Sequence, residues 1–293
     1  MASSLIDVVE VIERQKVGAG QCLVVLLCAL LMFLDGFDTQ AISYIVPTLS
    51  RDWHLSREIL GSIFSAALVG LMVGSTFLLE DQGEARASVA ALVRGRTSAG
   101  TVLLWLIFFL NLAEFYFMQS WLPTMLTGLQ YSPAKIVWVT ALPTIAGVLS
   151  AVPLGLAMDR VGPYVTLSVL YLAGCVFMWL VGSAFSGSVA WLMVMVFCAG
   201  FCISGGQKSV IAFAAVHYPL NLHSTGVGWA LGIGRLGGTA GPLIAGMLYC
   251  AHWTPEDIFR FSAWPVLVAG IGVFVMGRNY GSRPVVVETS ATH

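Results

Sequence analysis

Apolar residues dominate this chain in long runs that shorter polar segments separate. Each run has about 18 residues or more, which is enough to cross the hydrocarbon layer of a bilayer as one α-helix. Eight such runs can be distinguished, near 21–49, 57–79, 100–126, 134–157, 164–184, 189–216, 223–250 and 259–277. The pattern therefore predicts an all-α polytopic membrane protein with about eight transmembrane helices.

One polar segment is much longer than the others. Residues 80–99 carry charges of both signs and separate residues 1–79, with two predicted spans, from residues 100–293, with six. We interpret 80–99 as a cytoplasmic linker between these two parts. Ser132 followed by Pro133 is typical of a helix start, because serine caps N-termini and proline needs no N–H partner there.

The composition narrows the class of protein further. The chain is 58% hydrophobic and 10% charged, with a mean hydropathy of +0.86, whereas a soluble domain has about 25% charged residues. A net charge of −1 gives no electrostatic reason to expect nucleic acid as a partner. The sequence contains no recognisable metal cluster, nucleophile elbow or phosphate loop, so we predict neither an enzyme nor a cofactor.

The positions of the basic residues predict the orientation. If the N-terminus is cytoplasmic, eight of the 14 Lys and Arg residues lie in inside segments, four in outside segments and two within spans. The positive-inside rule then favours both termini in the cytoplasm. Five tryptophans lie near span ends, where we expect most of them to form an interfacial aromatic belt: Trp121, Trp138, Trp191, Trp253 and Trp264.

Two carboxylates, Asp35 and Asp38, lie near the middle of the first apolar run. Each costs roughly 2.5–3.5 kcal/mol at membrane depth on insertion scales, and such acids often take part in proton relays. Their spacing of three residues puts both on one face of a helix. The alternative is a structural role, in which they bond to neighbouring helices or mark a kink at Gly36.

Three other charged residues, Glu114, Lys208 and Arg235, also fall within predicted spans. Charges of both signs on several helices would suit a polar path through a helix bundle. The alternative is that they neutralise one another and fix helix packing. The guanidinium of Arg235 is in addition suited to a substrate carboxylate, which it can bind through two parallel hydrogen bonds.

The span that contains Arg235 is rich in glycines four residues apart, such as Gly234 and Gly238 or Gly237 and Gly241. This spacing predicts a groove where another helix approaches closely. Residues 153–164 contain an Asp-Arg pair between two glycines and are predicted to form a tight cytoplasmic turn. The turn is either a conformational latch or an ordinary solvated connection.

Several of these stretches together resemble a known family. Leu34-Asp35-Gly36-Phe37-Asp38, followed by Pro47-Thr48-Leu49, resembles the first-helix signature of the aromatic acid:proton symporters, which belong to the major facilitator superfamily. Later stretches resemble that superfamily's seventh helix, its turn between helices eight and nine, and its tenth and eleventh helices: 111–126, 153–164, Gly205-Gly206-Gln207, and the glycine-rich stretch ending at Gly241-Pro242.

The resemblance implies proton-coupled uptake of aromatic carboxylates, such as hydroxybenzoates or hydroxyphenylpropionates, through a bacterial inner membrane. The bilayer, a small aromatic carboxylate and H⁺ would be its partners. The resemblance also implies roles for individual residues. Asp35 and Asp38 would couple the proton, Asp159 and Arg160 would form the gating turn, and Arg235, Glu114, Lys208 and Gln207 are candidates for the substrate path.

The sequence departs from this family in its front part. Members have twelve helices in two six-helix halves, whereas this chain has two predicted spans before the linker and six after it. A loss of helices three to six at the junction of Ser75 and Thr76 would explain this difference, and it predicts an incomplete fold of two plus six helices. The alternative function is therefore a non-transporting relic, or a membrane binding or partner subunit that self-associates to complete the bundle.

Overall fold

The computed structural model describes residues 98–218 and 222–280, together with Leu27 and Leu92. All of them except Leu27 belong to one compact unit, Ser43–His293. Asp35, Asp38 and nearly all of the predicted linker lie outside the described residues. The described part contains seven α-helices: α1 Ser98–Gly128, α2 Pro133–Leu149, α3 Ala151–Val161, α4 Pro163–Ala184, α5 Val189–His217, α6 His223–Cys250 and α7 Pro255–Tyr280.

The helices follow the apolar runs closely, and the predicted start at Pro133 is confirmed. Ser132 has an extended backbone (φ −64°, ψ 145°) and precedes the helix as its N-cap. Its side chain makes no capping hydrogen bond, so the proline and the backbone define this terminus. α4 begins in the same way, with Pro163 in its first turn.

Four of the described helices, α1, α4, α5 and α7, are long and apolar enough to cross a membrane. The pair α2 and α3 counts as a fifth span if the two are taken as one broken helix. α6 has 28 residues, which is long enough, but it is not among these candidates. Its many glycines and Arg235 make it less apolar than the other four, although its bounds agree with those of the seventh predicted span.

The predicted fourth span is broken, which corrects its description as one continuous helix. α2 ends at Leu149, α3 begins at Ala151, and the pair is bent by 40°. Pro153 explains the break, because proline has no N–H for the carbonyl four residues earlier and its ring crowds that carbonyl. The carbonyl affected is that of Leu149, at the end of α2.

The predicted tight turn over 153–164 is also corrected. Most of it is helical, since α3 continues to Val161 and α4 begins at Pro163. Gly162 alone lies between the two helices, with φ +94° and ψ 152°. A residue with a side chain would be strained at that φ, so the glycine allows the chain to change direction within one residue.

The most extensive helix contacts are those of α4 with α7 and of α1 with α6, followed by those of α5 with α4 and with α2. Trp121 of α1 is completely buried, and its indole Nε1 donates a hydrogen bond of 3.0 Å to the carbonyl of Pro242 on α6. The expectation that Trp121 belongs to an interfacial belt is therefore wrong. The other four tryptophans of that prediction are between 40% and 63% exposed, as a belt requires.

The predicted glycine groove is confirmed along the second half of α6. A methyl group added at Gly237 or at Gly241 would run into the backbone of α1, at Phe109 or at Ala113 respectively. By contrast, a methyl group at Gly228 or Gly232 would meet no atom within 4 Å. The missing side chains at Gly237 and Gly241 therefore set how closely α1 and α6 approach each other.

Gly237→Val should destabilise the protein by about 3 kcal/mol or more, because the two helix backbones must separate to admit the side chain. Gly232→Val is the matched control, since it has the same effect on helix propensity but meets open space. Thermal unfolding in detergent, followed by loss of helical circular dichroism, measures both. Equal melting temperatures for the two variants would contradict this account of the groove.

Candidate functional site

The break between α2 and α3 is stabilised by a charged side chain from α5. The Gly147 carbonyl lies in the last turn of α2, where carbonyls have no partner within the helix. It accepts hydrogen bonds from Ser150 Oγ at 2.9 Å and from Lys208 Nζ at 2.8 Å. Lys208 is exposed apart from this contact. Its ammonium is therefore anchored at the break and remains accessible to a ligand.

The Gly205-Gly206 pair on α5 makes this arrangement possible. A methyl group at Gly205 would lie 2.5 Å from Ser150 Oγ, and one at Gly206 would lie 2.9 Å from the ring of Tyr171. Because neither glycine has a side chain, Ser150 at the helix break can pack against Gly205, and the ring of Tyr171 on α4 can pack against Gly206. Gln207, the next residue, is half-buried.

Glu114 belongs to a buried polar cluster, which we define as Asn111, Glu114, Tyr171 and Ser262. Asn111 and Glu114 are three residues apart on one face of α1, and both are buried. Asn111 Nδ2 donates to the carbonyl of Ile203 on α5 at 3.4 Å. Ser262 of α7 lies next to Glu114, and its hydroxyl donates to the carbonyl of Phe259 at 2.8 Å. The cluster thus connects four helices, α1, α4, α5 and α7.

This buried polar cluster is incompletely hydrogen-bonded. Within the described residues, Asn111 Oδ1, Glu114 Oε2 and the Tyr171 hydroxyl are buried and have no hydrogen-bond partner. The space between them is too narrow to hold a water molecule. Burying polar groups without hydrogen-bond partners is costly, so this cluster adds little to stability and is a candidate for a functional role.

Arg235 lies at the centre of α6 and is half-buried. The adjacent Gly234 packs against α1, where a methyl group would come within 3.3 Å of Leu112. The backbone carbonyl of Arg235 accepts a hydrogen bond from Thr239 Oγ1 at 3.2 Å. The guanidinium is therefore carried on a helix whose position is fixed by its contact with α1.

Asp159 and Arg160 lie at the C-terminal end of α3, and both are exposed. Arg160 is in the last turn, where a positive charge interacts favourably with the helix dipole. The sequence correctly indicated that this pair precedes a chain reversal, although the pair itself is helical. Asp35 and Asp38 lie outside the described residues.

Asn111, Tyr171 and Ser262 were missed in the sequence, although they surround Glu114. One signal was available, because Asn111 and Glu114 have the spacing of a shared helix face within an apolar run. Tyr171 and Ser262 had no such signal, since helix packing alone brings them to the cluster. In the part of the chain that the structure describes, no group of three or more His, Cys, Asp or Glu residues could hold a metal ion.

These features define a class of protein: a helical membrane bundle with long apolar spans, one broken span and charged side chains within the spans. The sequence model of the Major Facilitator Superfamily matches residues 104–291. The chain belongs to this superfamily of membrane transporters, which is not a family of enzymes.

Several characterised transporters are similar to this chain. The 4-hydroxybenzoate transporter PcaK of Pseudomonas aeruginosa is 39% identical over 194 residues, which are 66% of this chain and 43% of PcaK. The gallate transporter of Pseudomonas putida is 32% identical over 239 residues, 80% of this chain and 53% of the relative. The 3-(3-hydroxy-phenyl)propionate transporter of Escherichia coli is 33% identical over 189 residues, which are 64% of this chain and 46% of that transporter. The chain thus spans about half the length of these relatives.

Tyr171→Phe should leave the protein as stable as before or more stable by about 1 kcal/mol, because it removes a buried hydroxyl that has no partner among the described residues. Trp121→Phe should instead lower the free energy of unfolding by about 1–3 kcal/mol, because it removes the indole N–H that donates to the Pro242 carbonyl. Thermal unfolding in detergent compares the two. A loss for Tyr171→Phe as large as that for Trp121→Phe would show that the hydroxyl is satisfied.

Proposed function

We propose that this protein is a proton-coupled symporter of aromatic carboxylates in a bacterial inner membrane, with both termini in the cytoplasm. The observation that carries the proposal is the set of relatives. Hydroxybenzoate, gallate and hydroxyphenylpropionate, the compounds in their names, each combine an aromatic ring with a carboxylate. A transporter of such compounds has to bind a negative charge within the membrane and release it again.

The two basic residues within the spans suit this task. Arg235 has a planar guanidinium that can bind a carboxylate through two parallel hydrogen bonds. The helix that carries it is held in place by its contact with α1. Lys208 offers an ammonium whose other contact is the Gly147 carbonyl. Since that carbonyl is also bonded to Ser150, arrival of a substrate at Lys208 would alter the hydrogen bonding at the helix break. Gln207 next to Lys208 would supply a neutral polar contact.

Proton coupling requires acids that gain and lose a proton at membrane depth. Asp35 and Asp38 are our candidates because their positions match the first-helix signature of the aromatic acid symporters. Glu114 is a further candidate for the substrate path, since a carboxyl group that is neutral in one conformation could ionise in another in which its surroundings open. Asp159 and Arg160 would gate the cytoplasmic side from the end of the broken span.

The length of the chain supports a second candidate function. The chain spans about half the length of its relatives, and it has two predicted spans instead of six before the linker. A six-helix half without a matching half could not alternate by rocking one half against the other. The second candidate is therefore a bundle that binds ligand or a partner, or a second copy of itself, without transport of its own.

Uptake of labelled 4-hydroxybenzoate into proteoliposomes distinguishes the two functions. The first predicts uptake that rises when the outside is made more acidic than the inside and that an uncoupler abolishes. Asp35→Asn and Asp38→Asn should each lower this uptake at least tenfold, because asparagine cannot carry a proton. Asp52→Asn, in a predicted outside loop, is the control. Absence of uptake by the unaltered protein would favour the second function, and normal uptake by both Asn variants would exclude the assigned role of these acids.

Arg235→Gln should raise KM for 4-hydroxybenzoate by about tenfold or more, because it removes a charge-assisted pair of hydrogen bonds. Arg235→Lys should give an intermediate KM, since the charge remains but the two-pronged geometry is lost. Arg278→Gln, at the far end of α7, is the matched control and should transport normally. Initial uptake rates over a range of substrate concentrations measure all three, and an unchanged KM for Arg235→Gln would refute a contact with the carboxylate.

A further inference from the structure

A groove of about 600 Å³ opens at one end of the described bundle, between α4 and the start of α7. We refer to it as the tryptophan groove. Aromatic rings make up most of its lining, which also contains the oppositely charged pair Asp257 and Arg260; we refer to this pair as the floor. Its lining includes Trp179, Trp253, Asp257, Arg260, Phe261 and Trp264.

The charge pattern of α7 and the exposed aromatic rings indicate that the groove lies at the level of the lipid headgroups. From Phe261 to Gly277, α7 has no charged residue, so Arg260 is the last charge before the apolar part of the span. Trp179 lies five residues before the end of α4, which is about 8 Å along the helix axis. Trp264 is 57% exposed and Trp179 48% exposed, as expected of rings at a membrane interface.

Close packing of α4 and α7 fixes Arg260 in the floor. A methyl group at Gly182 of α4 would lie 2.8 Å from Cγ of Arg260, so the arginine stem rests against this glycine. The guanidinium forms ion pairs with Glu256 at 3.9 Å and with Asp257 at 3.8 Å. Both distances exceed those of good hydrogen bonds, and its buried Nε has no hydrogen-bond partner in the described part of the chain. The hydrogen-bonding capacity of Arg260 is therefore largely unused.

The charges around Arg260 indicate what kind of headgroup fits. Arg260 already has two carboxylates beside it, Asp257 in the lining and Glu256 next to the groove, which disfavours a purely anionic ligand. Asp257 accepts a hydrogen bond from Thr254 Oγ1 through one carboxylate oxygen, at 2.8 Å, and can accept further donors. A ligand with one anionic and one ammonium group would satisfy both the guanidinium and the carboxylate.

We propose that the tryptophan groove binds a phospholipid whose headgroup carries both a phosphate and a primary ammonium, as phosphatidylethanolamine does. The phosphate pairs with Arg260, and the ammonium donates to Asp257 and lies against the faces of the aromatic rings. The acyl chains follow the apolar surface of α7 below Phe261. This site does not depend on the proposed transport function.

Native mass spectrometry of the full chain in detergent tests the proposal. With equal amounts of phosphatidylethanolamine, phosphatidylglycerol and phosphatidylcholine, we expect one phosphatidylethanolamine to be retained preferentially. Arg260→Gln should lower its retention about tenfold, and Asp257→Asn should shift the preference toward phosphatidylglycerol. Arg278→Gln, an exposed arginine at the opposite end of the same helix, should behave as the unaltered protein does. Equal retention of the three lipids, or undiminished retention by Arg260→Gln, would overturn the site.

A second measurement remains informative if the charge variants do not fold. Phe261 replaced by p-benzoylphenylalanine keeps an aromatic ring in the groove and can be cross-linked to bound lipid by light. In vesicles that contain all three lipids, it should label phosphatidylethanolamine more than the lipid composition predicts. The same replacement at Phe274, which is exposed deeper on α7, should label lipids in proportion to their abundance. Proportional labelling at 261, or displacement of the lipid by added 4-hydroxybenzoate, would contradict the proposal.

Discussion

A backbone carbonyl at membrane depth has no water to bind, so a helix can be broken there only where the protein supplies a donor. The Gly147 carbonyl meets this requirement with two donors, Ser150 from its own chain segment and Lys208 from α5. The proline that breaks the span and the lysine that stabilises the break are thus parts of one arrangement. Much of the geometry around α2, α3 and α5 follows from it.

Close approach of the helices is the second requirement, because a lysine can reach a neighbouring backbone only over a short distance. A methyl group at Gly147 would lie 2.6 Å from Cβ of Ser204, and Gly205 leaves room for Ser150. On the other side of the bundle, the glycines of α6 perform the same task against α1. In both places the absence of a side chain allows a polar or backbone contact to form, which links the glycine pattern directly to the positions of Lys208 and Arg235.

Sequence reasoning predicted the ends of the apolar runs in the described region to within four residues, because run length and terminal prolines are local properties. It also located the groove of α6, since glycine spacing on one helix face is visible in the sequence. It missed the break at Ser150 because the apolar run continues through it, although Pro153 was a local sign. It misjudged Trp121 because a residue near a span end can point toward either the lipid or a neighbouring helix. Tyr171 and Ser262 come to Glu114 from two other helices, α4 and α7, and no pattern along α1 could have identified them.

In the described bundle, the residues that pack the helices together are different from those that suit the binding of a substrate or a proton. Its strongest contacts, between α1 and α6 and between α4 and α7, involve glycines and apolar side chains within residues 98–280. The groups that suit a carboxylate or a proton, Lys208, Arg235 and Glu114, contribute little apolar packing. A chain can therefore keep the superfamily's packing whether or not it retains the superfamily's activity. For this reason the shared packing supports the fold alone, whereas the proposal of transport rests on the compounds named for the relatives together with these charged residues.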